Sequence, residues 1–143
     1  MRSKTSCLFD TNLLSELTLP RPNPSVVRFM MQAGDAYISV ISIHEMTFGL
    51  GLMERNSKRA RHLKAKIDEL MQAYTSSTLS VSHECARIAA DLRISAQNAG
   101  RALSFGDAVI AATALEHHLQ LATRNTKDFE FLAIDCVNPW QED

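Results

Sequence analysis

Cys7-Leu8-Phe9-Asp10-Thr11-Asn12-Leu13-Leu14 is the stretch whose reading decides the fold. Cys7-Leu8-Phe9 is a short apolar run, as expected of a buried strand. It stops at a carboxylate, and Thr11-Asn12 opens a helical pattern through Leu13, Leu14 and Leu17. A strand buried on both faces belongs in a parallel sheet, where ligands bind beyond the carboxyl ends of the strands. Asp10 is therefore expected at a functional rim.

The chain has 143 residues, 45% of them apolar and 22% charged, with a formal net charge of −1. These values predict one soluble domain over residues 1–143 and give no global attraction to nucleic acid, so an anionic partner needs a local patch or a metal. Cys7, Cys85 and Cys136 are widely spaced and odd in number. That argues for buried thiols in a reducing cytoplasm, against a disulfide framework or zinc site. No apolar stretch reaches the roughly 18–20 residues of a membrane span. Met1 to Ser6 is polar and the apolar stretch after it ends at Phe9, which speaks against a secretory signal.

Further along, Pro20, Pro22 and Pro24 form a stiff turn, and Val26, Val27, Phe29 and Met30 mark a helix closed by Gly34. Ala36 to Val40 is the second strand, and Ser42 is the expected cap of a helix carrying Ile43, Met46, Leu50 and Met53. A basic segment from Arg55 to Lys66 contains no acid and continues into the apolar positions Ile67, Leu70 and Met71. Thr78 to Val81 is a weaker strand, and Ser82 opens a long helix that ends at Asn98-Ala99-Gly100. Ser104 starts a helix that is apolar nearly all round through Leu115 and so should be buried. Strands at Leu119–Thr123 and Ile134–Val137 follow. This alternation predicts an α/β fold with a mostly parallel sheet and helices on both faces.

Three more acids fall where this reading puts the same rim. Glu45 and Asp107 sit in the expected first turns of their helices, and Asp128 follows the fourth strand; Asn12 and Asn125 add neutral oxygens. Each has a structural alternative. Ser42-Ile43-His44-Glu45 fits a capping box, Ser104 to Asp107 a looser one, Asp10 an ordinary turn and Asp128 the surface. Together they suggest more. Carboxylates crowded at strand ends repel one another, and a cation relieves the repulsion. Hard oxygen donors without His or Cys select Mg²⁺ or Mn²⁺ over zinc. No side chain resembles a covalent nucleophile, so the attacking group would be water.

Phe9-Asp10-Thr11-Asn12-Leu13-Leu14-Ser15-Glu16 resembles the opening motif of PIN-domain nucleases, most closely the VapC/FitB-type toxins of type II toxin–antitoxin pairs. Ile41 to Glu45 with Gly49 resembles the second motif, Phe105 to Ala114 the third, and Ala122 to Phe129 the fourth. Asn138-Pro139-Trp140 resembles the FitB-like ending. The likeness runs in order from Cys7 to Trp140. It implies a three-layer α/β/α sandwich around a mostly parallel sheet. It also implies a Mg²⁺-dependent endoribonuclease that cleaves RNA phosphodiesters with metal-activated water, with Mn²⁺ as the alternative ion. Such toxins are held inactive by a small DNA-binding antitoxin, as homodimers or larger assemblies on DNA, in the cytoplasm and away from membranes.

Asp10, Glu45 and Asp107 match the family's three invariant acids. At the fourth position many members carry an acid where this chain has Asn125, and Asp128 is the candidate replacement. On this reading Asp10 and Asp107 are the main metal ligands, and Glu45 completes the shell or orients water. Thr11, Asn12 and Thr123 fix carboxylate orientation. Arg124 contacts an RNA phosphate or acidic groups of the antitoxin. The basic segment either follows the RNA backbone or is a solvated helix face. His44 stays off the site, because adjacent helical residues do not share a face. The competing reading is a regulatory binding subunit that works with its antitoxin in operon repression. Phosphotransfer folds are disfavoured: a dehalogenase-type phosphatase needs an acid where Asn12 stands, and a receiver needs paired acids before Asp10.

Overall fold

The computed structural model describes residues 5–141, so the polar segment expected at the start is covered only from Thr5, and Glu142 and Asp143 lie outside the described residues. β1 (Cys7–Phe9) lies at the centre of a five-stranded sheet of order β3-β2-β1-β4-β5, the others being β2 (Ala36–Ser39), β3 (Thr78–Leu79), β4 (Gln120–Ala122) and β5 (Cys136–Val137). Every pairing is parallel. Phe9 pairs with Ala122, so Asp10 comes level with Thr123, and the Asp10 amide donates to the Ala122 carbonyl at 3.1 Å. The chain runs outward from β1 through β2 to β3, then returns to the other side of β1 for β4. The topological switch point of this sheet is therefore the gap between β1 and β4, where ligands of open α/β sheets bind.

Alternation along β1 assigns the layers, because successive strand side chains point to opposite faces. Cys7 and Phe9 join a core with Leu13, Leu14, Val26, Ile38, Met46 and Ile67. These come from α1 (Thr11–Leu17), α2 (Pro24–Gln32), α3 (Val40–Gly51) and α4 (Lys58–Ala73), along with β2. Leu8 joins Leu121 and the buried stripes of α5 (His83–Asn98) and α6 (Phe105–Glu116) on the other face. The result is the three-layer α/β/α arrangement, with an all-parallel sheet. Every residue of α6 from Ala108 to Ala114 is buried, and its alanines let α5 pack closely against it. Phe9 is fully buried between Phe29 and Tyr74, at ring distances of 6.3 and 6.2 Å.

Several boundaries differ from the sequence reading. Ser39, not Ser42, caps α3: its hydroxyl accepts from the Ile41 amide at 3.0 Å and its backbone is extended. Val40 is thus the first residue of a helix instead of the last of a strand, and Glu45 sits in the second turn. The Ser42–Glu45 capping box does not form. The third strand shrinks to Thr78–Leu79, and the basic segment begins in a loop, with α4 capped by Ser57. The end of α5 is as expected. Gly100 takes a φ of +71°, and the Arg101 amide donates to Ala96 at 2.9 Å to close the helix. Cys7 and Cys85 are buried and Cys136 half-buried, and all three are free thiols. Among the described residues no helix is long and apolar enough to cross a membrane.

Candidate active site

Asp10 ends β1 and caps α1, its Oδ1 accepting from the Leu13 amide at 2.9 Å. It is only 8% exposed. Burial pushes its carboxyl up to about 6; the Thr123 hydroxyl and the Leu13 amide pull it down, and the charges of Asp107 and Glu45 raise it again. An acid at the end of a buried strand has thus been placed within electrostatic reach of two others from distant parts of the chain.

Glu45 arrives from α3. Its Oε1 accepts from the Thr11 hydroxyl at 3.1 Å, and Thr11 in turn lies 2.8 Å from the hydroxyl of buried Ser42. One assignment of hydrogens satisfies both contacts: Ser42 donates to Thr11 and Thr11 donates to Glu45. This relay orients one carboxylate oxygen, and it gives Ser42 a role that the sequence reading had assigned to capping. Glu45 also leans on α6. A Cβ built on Gly106 would come 3.3 Å from Glu45 Oε1, so any larger residue before Asp107 would press on that carboxylate.

Asp107 occupies the first turn of α6. Its backbone amide donates to Ser104 Oγ at 3.1 Å, which is the Ser half of the anticipated box. Desolvation raises its carboxyl, Ser104 lowers it, and the charge of Asp128 raises it further. Asp128 lies in a 3₁₀ turn, Thr126–Asp128, directly after β4. It is exposed and acts on Asp107, not among the groups acting on Asp10. Asn125 sits at the start of that turn, and its backbone N–H donates to the hydroxyl of fully buried Thr123 at 3.1 Å. Of the two candidates for the fourth position, Asp128 is the one whose charge reaches the cluster, while Asn125 helps hold Thr123.

Other residues lie outside this cluster. Asn12 makes no hydrogen bond to a site acid among the described residues; it lines a cleft of about 310 Å³ with Glu16, Leu19, Arg124 and Trp140. Arg124 lies 5.3 Å from the centre of the Trp140 ring. In the basic segment Lys64 pairs with Asp68 and Lys66 with Glu69, both within α4, as in a solvated helix. His44 stacks on exposed Phe48 at 6.2 Å, and His117 caps the end of α6. The roles of Ser42 and Gly106 depend on neighbours distant in sequence.

The acids supply oxygen donors alone. Among the described residues no three His, Cys, Asp or Glu side chains are close enough to enclose an ion unaided. A hard, hydrated cation fits such a set, because Mg²⁺ keeps several waters and takes only one or two carboxylates. Burial is the main reason the Asp10 carboxyl is raised, with a smaller push from Asp107 and Glu45, and a nearby cation would favour its charged form against both.

The acids gather at the switch point of a parallel sheet, each supplied by a different element. Residues 7–134 match the PIN domain, and the chain belongs to that family. Its relatives narrow the placement to the VapC/FitB branch. The chain is 32% identical over 136 residues to the VapC ribonuclease Y4jK of Sinorhizobium fredii, covering 94% of this chain and 97% of that protein. It is 32% identical over 138 residues to the toxin FitB of Neisseria gonorrhoeae, covering 94% and 99%. The crystal structure of FitAcB from Neisseria gonorrhoeae superposes with a TM-score of 0.84 at 32% identity, over 95% of this chain and 99% of that one.

Proposed function

We propose that this protein is the toxin of a toxin–antitoxin pair and acts as a Mg²⁺-dependent endoribonuclease, hydrolysing RNA phosphodiesters. The observation that carries the reading is the convergence of Asp10, Glu45, Asp107 and Asp128, from four different elements, on the C-terminal edge of the sheet. Asp10 and Asp107 would hold the ion, with Glu45 and Asp128 nearby as ligands or partners of its waters. When bound, a Mg²⁺ or Mn²⁺ ion supplies water activation and neutralises charge on the phosphodiester. The protein's own part is orientation. The Leu13 amide fixes one oxygen of Asp10, the Ser42–Thr11 relay fixes one of Glu45, and Asn125 holds Thr123 beside Asp10. Arg124 stands at the neighbouring cleft as a phosphate contact. An RNA substrate sets the working location in the cytoplasm.

A DNA-binding antitoxin is the partner this reading requires, in a homodimeric or larger assembly. The structural neighbours lend support: one is FitAB bound to an IR36 DNA fragment, at 31% identity and a TM-score of 0.85. The same likeness favours the second reading, a subunit that serves operon repression without turnover. Incubating the purified protein with RNA separates the two. Cleavage that needs Mg²⁺, stops with a chelator and is lost in Asp107→Asn supports the nuclease. Cleavage that persists in Asp107→Asn would remove Asp107 from the chemistry, and absence of cleavage under every metal condition leaves the repression subunit.

A further inference from the structure

The site that attracts the cation repels the substrate. An RNA strand that crosses four acids on a protein of net charge −1 has to be held by local cations, because phosphate contacts dominate affinity. The basic segment on α4 is an imperfect source, as Lys64 and Lys66 are paired with acids on their own helix. Two arginines near the rim are differently placed. Arg124 follows Thr123 at the end of β4, and its guanidinium lies 5.3 Å over Trp140. Arg101 follows the glycine that closes α5, and its guanidinium lies 4.7 Å over Phe131, with Nη1 donating to the Lys127 carbonyl at 3.5 Å. Both are exposed, and among the described residues neither pairs with a carboxylate. The nearest acid to Arg124's cleft, Glu16, accepts instead from Trp140 Nε1 at 3.4 Å and the Asn23 amide at 3.2 Å.

Their placement in the layers is what matters. Trp140 packs on the layer of α1 to α4, and the Arg124 cleft is lined by α1. The Arg101 cleft, about 780 Å³, is lined by Arg93 and Leu103 at the opposite layer, beside α5. The acids lie between, at the sheet edge. Stacking on an aromatic face pre-orients a guanidinium and leaves donors for bidentate phosphate contact. We infer that Arg101 and Arg124, each held on an aromatic ring, grip the RNA backbone on opposite sides of the acid cluster, so that the strand crosses the site from the α1 cleft to the α5 cleft.

This inference rests on the proposed nuclease function and is tested by binding as well as turnover. Asp107→Asn protein would be titrated with a labelled 12-nucleotide single-stranded RNA over a range of salt concentrations. Adding Arg101→Gln or Arg124→Gln is expected to weaken binding roughly tenfold, and to reduce the salt slope by about 0.7 each and about 1.4 together. Arg101→Lys should keep the slope while losing affinity, because charge remains and the planar fork is gone. Arg87→Gln, at a residue paired with Glu84 on its own helix, should leave the slope unchanged. Unchanged slopes in both arginine variants would overturn the grip, and the nuclease reading would survive if the parent protein still cleaves RNA. Unchanged slopes with weakened inhibition by the cognate antitoxin would assign these arginines to the protein partner instead. If the parent protein neither binds nor cleaves RNA, the nuclease reading itself falls and takes the grip with it.

Discussion

The starts of α1 and α5 solve the same local problem with different residues. At α5 the Ser82 hydroxyl accepts from the Cys85 amide at 2.9 Å, and serines do the same at α3, α4 and α6. At α1 the cap is Asp10, buried and pushed up to about 6. A neutral cap would satisfy the Leu13 amide without burying charge. Burial, with Asp107 and Glu45 beside it, therefore disfavours the charged form of this cap in the metal-free fold. The remaining α-helices are capped by neutral side chains, Asn23 at α2 and serines at α3 to α6.

The strongest way to break this comparison is Asp10→Asn, which keeps a capping oxygen and removes the charge. RNA cleavage is expected to fall by about 100-fold or more, beyond what loss of an outer partner of a metal ligand costs. Stability of the metal-free protein should move the other way. Asp10 titrates near 3.8 unfolded and about 6 folded. Below the lower value both states hold the proton and nothing is lost. Between them only the folded state holds it, so stability falls as pH rises and levels off above about 6. The difference is worth about 3 kcal/mol at neutral pH. Denaturant melts in chelator from pH 4 to 8 should show this decline in the parent protein and a flatter profile in Asp10→Asn. A variant less stable than the parent at pH 7 would return Asp10 to the role of a simple cap.

Next in size is Gly106→Ala, which leaves every acid in place and disturbs only their arrangement. The new methyl would sit 3.3 Å from Glu45 Oε1, so the carboxylate has to give way. Cleavage is expected to fall about 10- to 100-fold, while stability holds or rises, because Ala suits a helix better than Gly. Equal kcat/KM for the two proteins would show that Glu45 tolerates displacement.

Asp10 and Gly106 also mark what sequence can and cannot disclose. Asp10 was legible because its signal is local: an apolar triplet, then an acid, then a helical pattern. The closing glycine of α5 and the apolar belt of α6 were legible for the same reason. The start of α3 was not. Val40 and Ile41 are β-branched and favour a strand, and Ser39 and Ser42 are equally good caps by type. Packing of Ile41 against the α5–α6 core settles the boundary, and it moves Glu45 by a turn. Gly106, Ser42 and the Arg101–Phe131 stack have roles only through partners far along the chain, and no periodicity carries that information.

Ser82→Ala is the change with the least effect on cleavage. Ser82 Oγ both accepts from Cys85 and donates to Glu116 Oε1 at 2.5 Å, so it ties the start of α5 to the end of α6, at the far end of that helix from Asp107. Glu116 Oε2 is already buried without a hydrogen bond among the described residues, the His117 Nε2 being 3.6 Å away. Removing the hydroxyl unties the cap and strips the carboxylate of its hydrogen-bond donor among the described residues, a loss of about 1–3 kcal/mol. The melting temperature should drop while the rate of RNA cleavage, measured well below it, stays at the parent value. A rate that fell along with stability would mean that strain at one end of α6 reaches Asp107 at the other. The acid cap of α1 would then no longer be separable from the serine cap of α5.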